Sequence, residues 1–128
     1  MRWLKLLLAI NGVVFVLYAV SNTLAPTSYF LPSDAPGYAI AVVRVVSVAY
    51  LALGLIQLGM WMVTDRLAVR IVAGASLVFA AAFAGFAVTV GSGSSDPYHQ
   101  FAMAGAAGNV IVAILYAILL YRERAGQA

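Results

Sequence analysis

Six polar side chains in this sequence could do chemistry, and each of them falls inside a long apolar stretch: Arg44, Ser47, Tyr50, Gln57, Asn11 and Asn109. Arg44 is the most demanding. It stands in GYAIAVVRVVSVAYLALGLIQLGMWMVT, residues 37–64, and no Asp or Glu lies inside any of the apolar stretches to pair with it. A charge at the centre of a membrane span costs at least about 2.5–3.5 kcal/mol unless it is paired, hydrated or able to snorkel. Arg44 sits on the order of 10 Å below the outer end of its helix at about 1.5 Å per residue, within reach of a snorkelling guanidinium. Two readings follow. In one, Arg44 binds an anionic headgroup or a carboxylate-bearing ligand. In the other it pairs with Asp34 or Asp96 and ties the outer loops to its span; such a pair adds little net stability, although losing one partner is costly.

The other polar groups divide the same way. On a helical wheel Ser47, Tyr50, Gly54 and Gln57 share one broad face of the span, beside Arg44, while Asn11 and Asn109 lie near the middles of the first and fourth apolar stretches. Polar side chains in lipid face other helices and hydrogen-bond across them. They are therefore interhelical glue, or else the walls of a polar pocket below Arg44 that admits a lipid headgroup, a quinone or another small anionic ligand. His99 is the only histidine, and Met103 follows one turn later. Two such ligands without a second histidine or a cysteine make a poor copper site, so no metal is expected. No nucleophile, base and orienting group can be assembled from what remains; the residues favour a non-enzyme, and an enzyme acting with a partner subunit is the third reading.

The elements that hold these residues follow from composition. Of 128 residues, 65% are hydrophobic and 9% charged, with a mean hydropathy of +1.03. Soluble domains are about 45–50% apolar and about 25% charged, so the chain belongs in a membrane. A span needs about 20 apolar residues, which divides the sequence into four spans at about residues 3–21, 37–64, 67–90 and 98–121. The expected fold is all-α: one domain, residues 1–128, an integral membrane bundle of four transmembrane helices. There are no cysteines, which excludes disulfides and thiolate ligands.

Arg2 and Lys5 followed by an apolar run could open a signal peptide, but the run is long for one and lacks a good cleavage site; we read it as a retained first span. The loop at residues 22–36 carries Pro26, Pro32 and Pro36, with Tyr29, Phe30 and Leu31 suited to the headgroup level. Ser33 or Asp34 is placed to cap the second span, with Pro36 in its first turn. Asp65–Arg66 makes a tight turn into the third span. That span is rich in small residues, Ala81 and Gly85 having the small-xxx-small spacing, and reads as the central packing partner. Asp96 and Pro97 signal the start of the fourth. The segments Ser33-Asp34-Ala35-Pro36-Gly37-Tyr38 and Ser95-Asp96-Pro97-Tyr98 resemble one another, a faint repeat of two helical hairpins.

Charge then sets topology. Arg2, Lys5, Arg66, Arg70, Arg122 and Arg124 all fall on one side of a four-span chain, and the opposite loops hold only Asp34, Asp96 and His99. Basic residues mark the cytoplasmic face, so both termini are expected in the cytoplasm, with the chain a multi-pass protein of the inner (plasma) membrane. Trp3, Trp61 and Tyr121 would anchor the inner interface, Tyr29, Tyr38, Tyr98 and Phe101 the outer. The net charge of +3 is spread over span ends and forms no patch for nucleic acid.

LKLLLAINGVVFVLYAVSNTLAP, a proline-containing loop, and then VVRVVSVAYLALG resemble the small four-helix bacterial membrane proteins related to DoxX, over roughly residues 4–60. Arg44 and Gly54 match the arginine and glycine of that pattern, whereas Ser47 stands where that group often has glycine. The resemblance implies the four-helix membrane fold; some DoxX relatives are tied by name to quinone or thiosulfate oxidation. Small multidrug exporters share the size and span count but need a glutamate in the first span, where this chain has Asn11. The expected function is that of a structural or accessory subunit acting by helix contacts, with itself or in a larger membrane complex. The alternative is a binder of lipid, quinone or another anion below Arg44.

Overall fold

The computed structural model describes residues 1–27, 31, 33–91 and 97–126. It is all-α, with helices α1 (Arg2–Leu24), α2 (Gly37–Gly59), α3 (Arg66–Gly91) and α4 (Pro97–Ala125). All four are long and apolar enough to cross a membrane, and the protein is a membrane protein of four candidate spans. The helical state is imposed by the solvent. α2 is crowded with β-branched residues, Ile40, Val42, Val43, Val45, Val46 and Val48, which in water favour strands. In hydrocarbon an isolated segment satisfies its N–H and C=O groups only as a helix.

Helix ends show where local chemistry decided. Pro26 follows α1 and cannot continue it. Pro36 is the N-cap of α2, extended at φ −66° and ψ 150°, and no side chain among the described residues caps the helix. This corrects the expectation for Ser33 and Asp34: with the cap at Pro36, both stand too far upstream for their oxygens to reach the first-turn amides. α2 stops at Gly59, short of the expected Thr64, because its last turn tightens. The Met60 amide is shared among the Ile56, Gln57 and Leu58 carbonyls, and Trp61 N–H donates to Leu58 O at 3.1 Å. Asp65 precedes α3 and its Oδ1 accepts the Leu67 amide at 2.8 Å, an N-cap bond of the usual kind. Asp65→Ala is expected to destabilise the protein by about 0.5–2 kcal/mol and Asp65→Asn by much less, read as the thermal midpoint in detergent. Equal losses for the two would show that the cap bond contributes nothing. At the far end of α4, Arg122 and Arg124 lie in the last turn, where cations complement the helix dipole.

The chain forms two compact units: Leu8–Trp61, and Met62–Ala128 together with Met1–Leu7. In the first, α1 and α2 cross at glycine. A Cβ at Gly12 would lie 2.8 Å from Gly54 O, and one at Gly54 2.8 Å from Gly12 O. In the second, α3 and α4 pack along one another. The buried positions of α3 are Val69, Ala73, Ser76, Ala80, Ala84 and Ala87, a seam of mostly small residues at helical spacing. The pair expected to make this contact, Ala81 and Gly85, is instead exposed, and a Cβ at Gly85 would meet nothing. Small residues occur all round α3, so composition could not choose the face. The hydroxyls of Thr23, Ser47, Ser76 and Thr89 each donate to a carbonyl three or four residues back, at 2.7–2.8 Å, which satisfies them without water.

Candidate functional site

Five of the six residues singled out from sequence fall within the Leu8–Trp61 unit, and the sixth, Asn109, falls in the other. α1 buries Leu8, Asn11, Gly12, Phe15, Ala19 and Asn22, one stripe along a single face of the helix. α2 buries Ser47, Gly54 and Gln57. The two helices meet where Gly54 faces Gly12, Phe15 and Val16, and where Gly12 faces Gly54 and Leu58. Just beyond this crossing Tyr50 stands edge-on to Phe15, centroids 5.4 Å apart at 62°, with Tyr18 at 6.5 Å. Offset and edge-on rings of this kind attract beyond simple contact, so the aromatic group fixes how far the hairpin is rotated about its glycine pivot.

The polar groups take different roles around that seam. Ser47 is buried and its hydroxyl donates to Val43 O at 2.7 Å. Gln57 and Asn11 are buried as well. Asn22, at the end of α1, is buried with an Oδ1 that accepts no hydrogen bond among the described residues. In the other unit the Asn109 amide donates to Gly105 O at 2.8 Å within α4. Arg44 differs from all of these. It is exposed, on the flank of α2 beside the face that buries Ser47, Gly54 and Gln57. Asp34 is also exposed, and among the described residues no ion pair joins it to Arg44. Tyr29, Phe30 and Asp96, and the side chains of Tyr98, His99, Phe101 and Met103, lie outside the described residues. Among the described residues no group of three or more His, Cys, Asp or Glu could hold a metal.

Arg44 heads a stripe that sequence reading passed over. Ala41, Arg44, Val48, Leu51 and Leu55 recur at intervals of three, four, three and four, and all five are exposed. That is the spacing of a coiled-coil seam. It occurs on the least buried of the spans: 11% of the α2 window is covered within the chain, against 28%, 28% and 17% for the others. The signal was available as a heptad pattern, but almost every residue of α2 is apolar, so several stripes fit equally well until burial removes the wrong ones.

No family model, curated protein or solved structure matches the chain.

Proposed function

We propose that this protein is a non-catalytic accessory subunit of a membrane complex, held to its partner by the outward seam of α2. The observation that carries the reading is the exposure of Arg44 within that apolar seam. Ionisable residues in spans almost always face a bundle interior or a wet cavity and find a counter-charge there. A seam of Ala41, Val48, Leu51 and Leu55 around one arginine has the form of a helix interface in which a single polar position fixes register. A second copy is the poorer partner: an isologous contact between parallel α2 helices brings Arg44 against Arg44, and the apolar stretches of the chain hold no acid. The better partner is a different membrane helix with a carboxylate at the same depth.

Placement in an inner (plasma) membrane of bacterial type, with both termini cytoplasmic, belongs to the same proposal. It is supported by the six basic residues at one set of span ends and by the exposed Trp3, Trp61 and Tyr121 near that side. The loose likeness to DoxX-related proteins fits a four-helix subunit of this kind. The alternative, a lipid, quinone or anion pocket below Arg44, has less support, because Arg44 is exposed while Ser47 and Gln57 are buried, and the Ser47 hydroxyl already donates to Val43 O.

Photo-crosslinking from position 51 in native membranes, followed by purification, tests the proposal. The wild type should yield one stoichiometric crosslinked partner. Arg44→Glu should abolish it, Arg44→Leu should cut it about fivefold or more, one cation–carboxylate contact being worth about 1 kcal/mol or more once desolvated, and Arg44→Lys should retain part of it. A protein that purifies alone in every case, while native mass spectrometry finds a small molecule lost with Arg44→Ala, would replace this reading with the anion pocket. Equal yield from Arg44→Leu and the wild type would leave Arg44 as a snorkelling side chain.

A further inference from the structure

We propose that a groove between α3 and α4, at the arginine-rich end of the second unit, seats one anionic phospholipid. Its phosphate lies against Arg70 and Arg124, and an acyl chain runs along Ile71, Gly74 and Leu77. The groove has a volume of about 540 Å³, inside the roughly 300–1,000 Å³ range of small-molecule sites. Its charged groups, Arg70 and Arg124, and the Tyr121 phenol stand together at one end, and every other lining residue is apolar. Arg70 is the fifth residue of α3 and Arg124 lies in the last turn of α4, so both guanidiniums sit at headgroup level while Leu77 lies about 10 Å deeper, at about 1.5 Å per residue. This is the layout of an amphiphile: an anionic head at the helix ends and a chain toward the bilayer centre.

The local field has the matching sign. Arg2, Lys5, Arg66, Arg70, Arg122 and Arg124 gather at this end of the unit against Asp65 and Glu123. Asp65 Oδ1 accepts from the Leu67 amide and Glu123 pairs with the Met1 ammonium. Even beside Glu123, the Met1 ammonium pKa is pushed below its ordinary value, first by burial and then by Arg66 and Lys5. Basic pockets between spans on the cytoplasmic side are suited to acidic headgroups. A soluble anion would use the two arginines but leave the apolar wall uncovered, and a neutral amphiphile would use the wall but not the arginines. Only an anionic lipid uses both.

The test is native mass spectrometry of the full chain released from nanodiscs of equal parts phosphatidylglycerol and phosphatidylcholine. The wild type should retain one phosphatidylglycerol in preference to phosphatidylcholine. Arg70→Gln with Arg124→Gln should lower retention about twenty-five-fold, from about fivefold for each arginine. Arg122→Gln, outside the groove, should change it far less. Gly74→Leu should displace the chain with both arginines in place, the Cβ it adds having nothing within 4 Å to clash with. Ala117→Leu, from the exposed opposite wall, makes the same block independently. Equal retention of the two lipids, undiminished lipid in both filled-groove variants, a loss with Arg122→Gln as large as with the pair, or displacement of the lipid by inorganic phosphate would each overturn the proposal. So would a lipid-free dimer sealed over the groove.

Discussion

Gly54→Leu should be the most damaging single substitution in the protein. At this position the α1 and α2 backbones touch. A Cβ would meet Gly12 O at 2.8 Å, Val16 Cγ2 at 2.9 Å and Phe15 Cβ at 3.1 Å. The first of these is main chain and cannot rotate aside. In their place each glycine presents a Cα–H toward the opposite carbonyl oxygen, a weak attraction that operates only at such short range. Since lipid supplies no hydrophobic drive for helices to associate, close packing and contacts of this kind must do it. Gly54→Ala should cost about 1–3 kcal/mol, the usual range for overpacking, and Gly54→Leu more, enough to separate the hairpin and disperse the Phe15–Tyr50–Tyr18 rings. Gly12→Ala should cost about as much as Gly54→Ala, and the double variant less than their sum, because the first substitution already opens the crossing. Gly85→Ala and Gly108→Ala, whose Cβ directions are open, should be neutral or gain up to about 1 kcal/mol of helix propensity. Unfolding in mixed micelles gives all of these values. If Gly54→Ala behaved like Gly85→Ala, the glycine pivot would be refuted.

Tyr116→Ala should have the second largest effect. Tyr116 heads the fully buried side chains by volume and has no exposed surface; it lies on α4, in the unit that does not contain the glycine pivot. In water an aromatic-to-alanine change in a core costs about 3–5 kcal/mol, part of it lost transfer energy and part the cavity left behind. In a bilayer the separated helix keeps its apolar surroundings, so the transfer part shrinks and the cavity part stays. We therefore expect about 2–4 kcal/mol, seen as a lower thermal midpoint with helical content retained. Tyr116→Phe keeps the ring and should stay under about 1.5 kcal/mol. Were Tyr116→Ala and Tyr116→Phe alike, ring packing would not be what holds this unit.

Some of this was legible without coordinates. Four spans follow from apolar runs longer than a bilayer is thick, and their helical state follows from the absence of water. Asp65 was readable as a turn into α3, and Pro97 as the first residue of α4, because capping depends on immediate neighbours. Helix faces were not readable in the same way. Ala81 and Gly85 match the small-xxx-small spacing as well as Ala80 and Ala84 do, yet only the second pair is buried. Ser47, Gly54 and Gln57 do share the inward face of α2, but whether Arg44, beside that face, is covered or exposed depends on how the helix is rotated about Gly54.

The division has a physical cause. In soluble proteins polarity marks the outside of each helix, so a sequence carries its own orientation. Here inside and outside are both apolar, and the sequence by itself determined only what the bilayer enforces: the class of fold, the number of spans and the charge at their ends. Shape decided the rest. Gly12 against Gly54 sets the rotation of α1 on α2, which turns Ser47 and Gln57 inward and leaves Arg44 at the head of an uncovered seam. The packing of α3 on α4 opens the arginine-capped groove. Both depend on contacts between residues far apart in sequence, where the fit of one backbone against another outweighs composition.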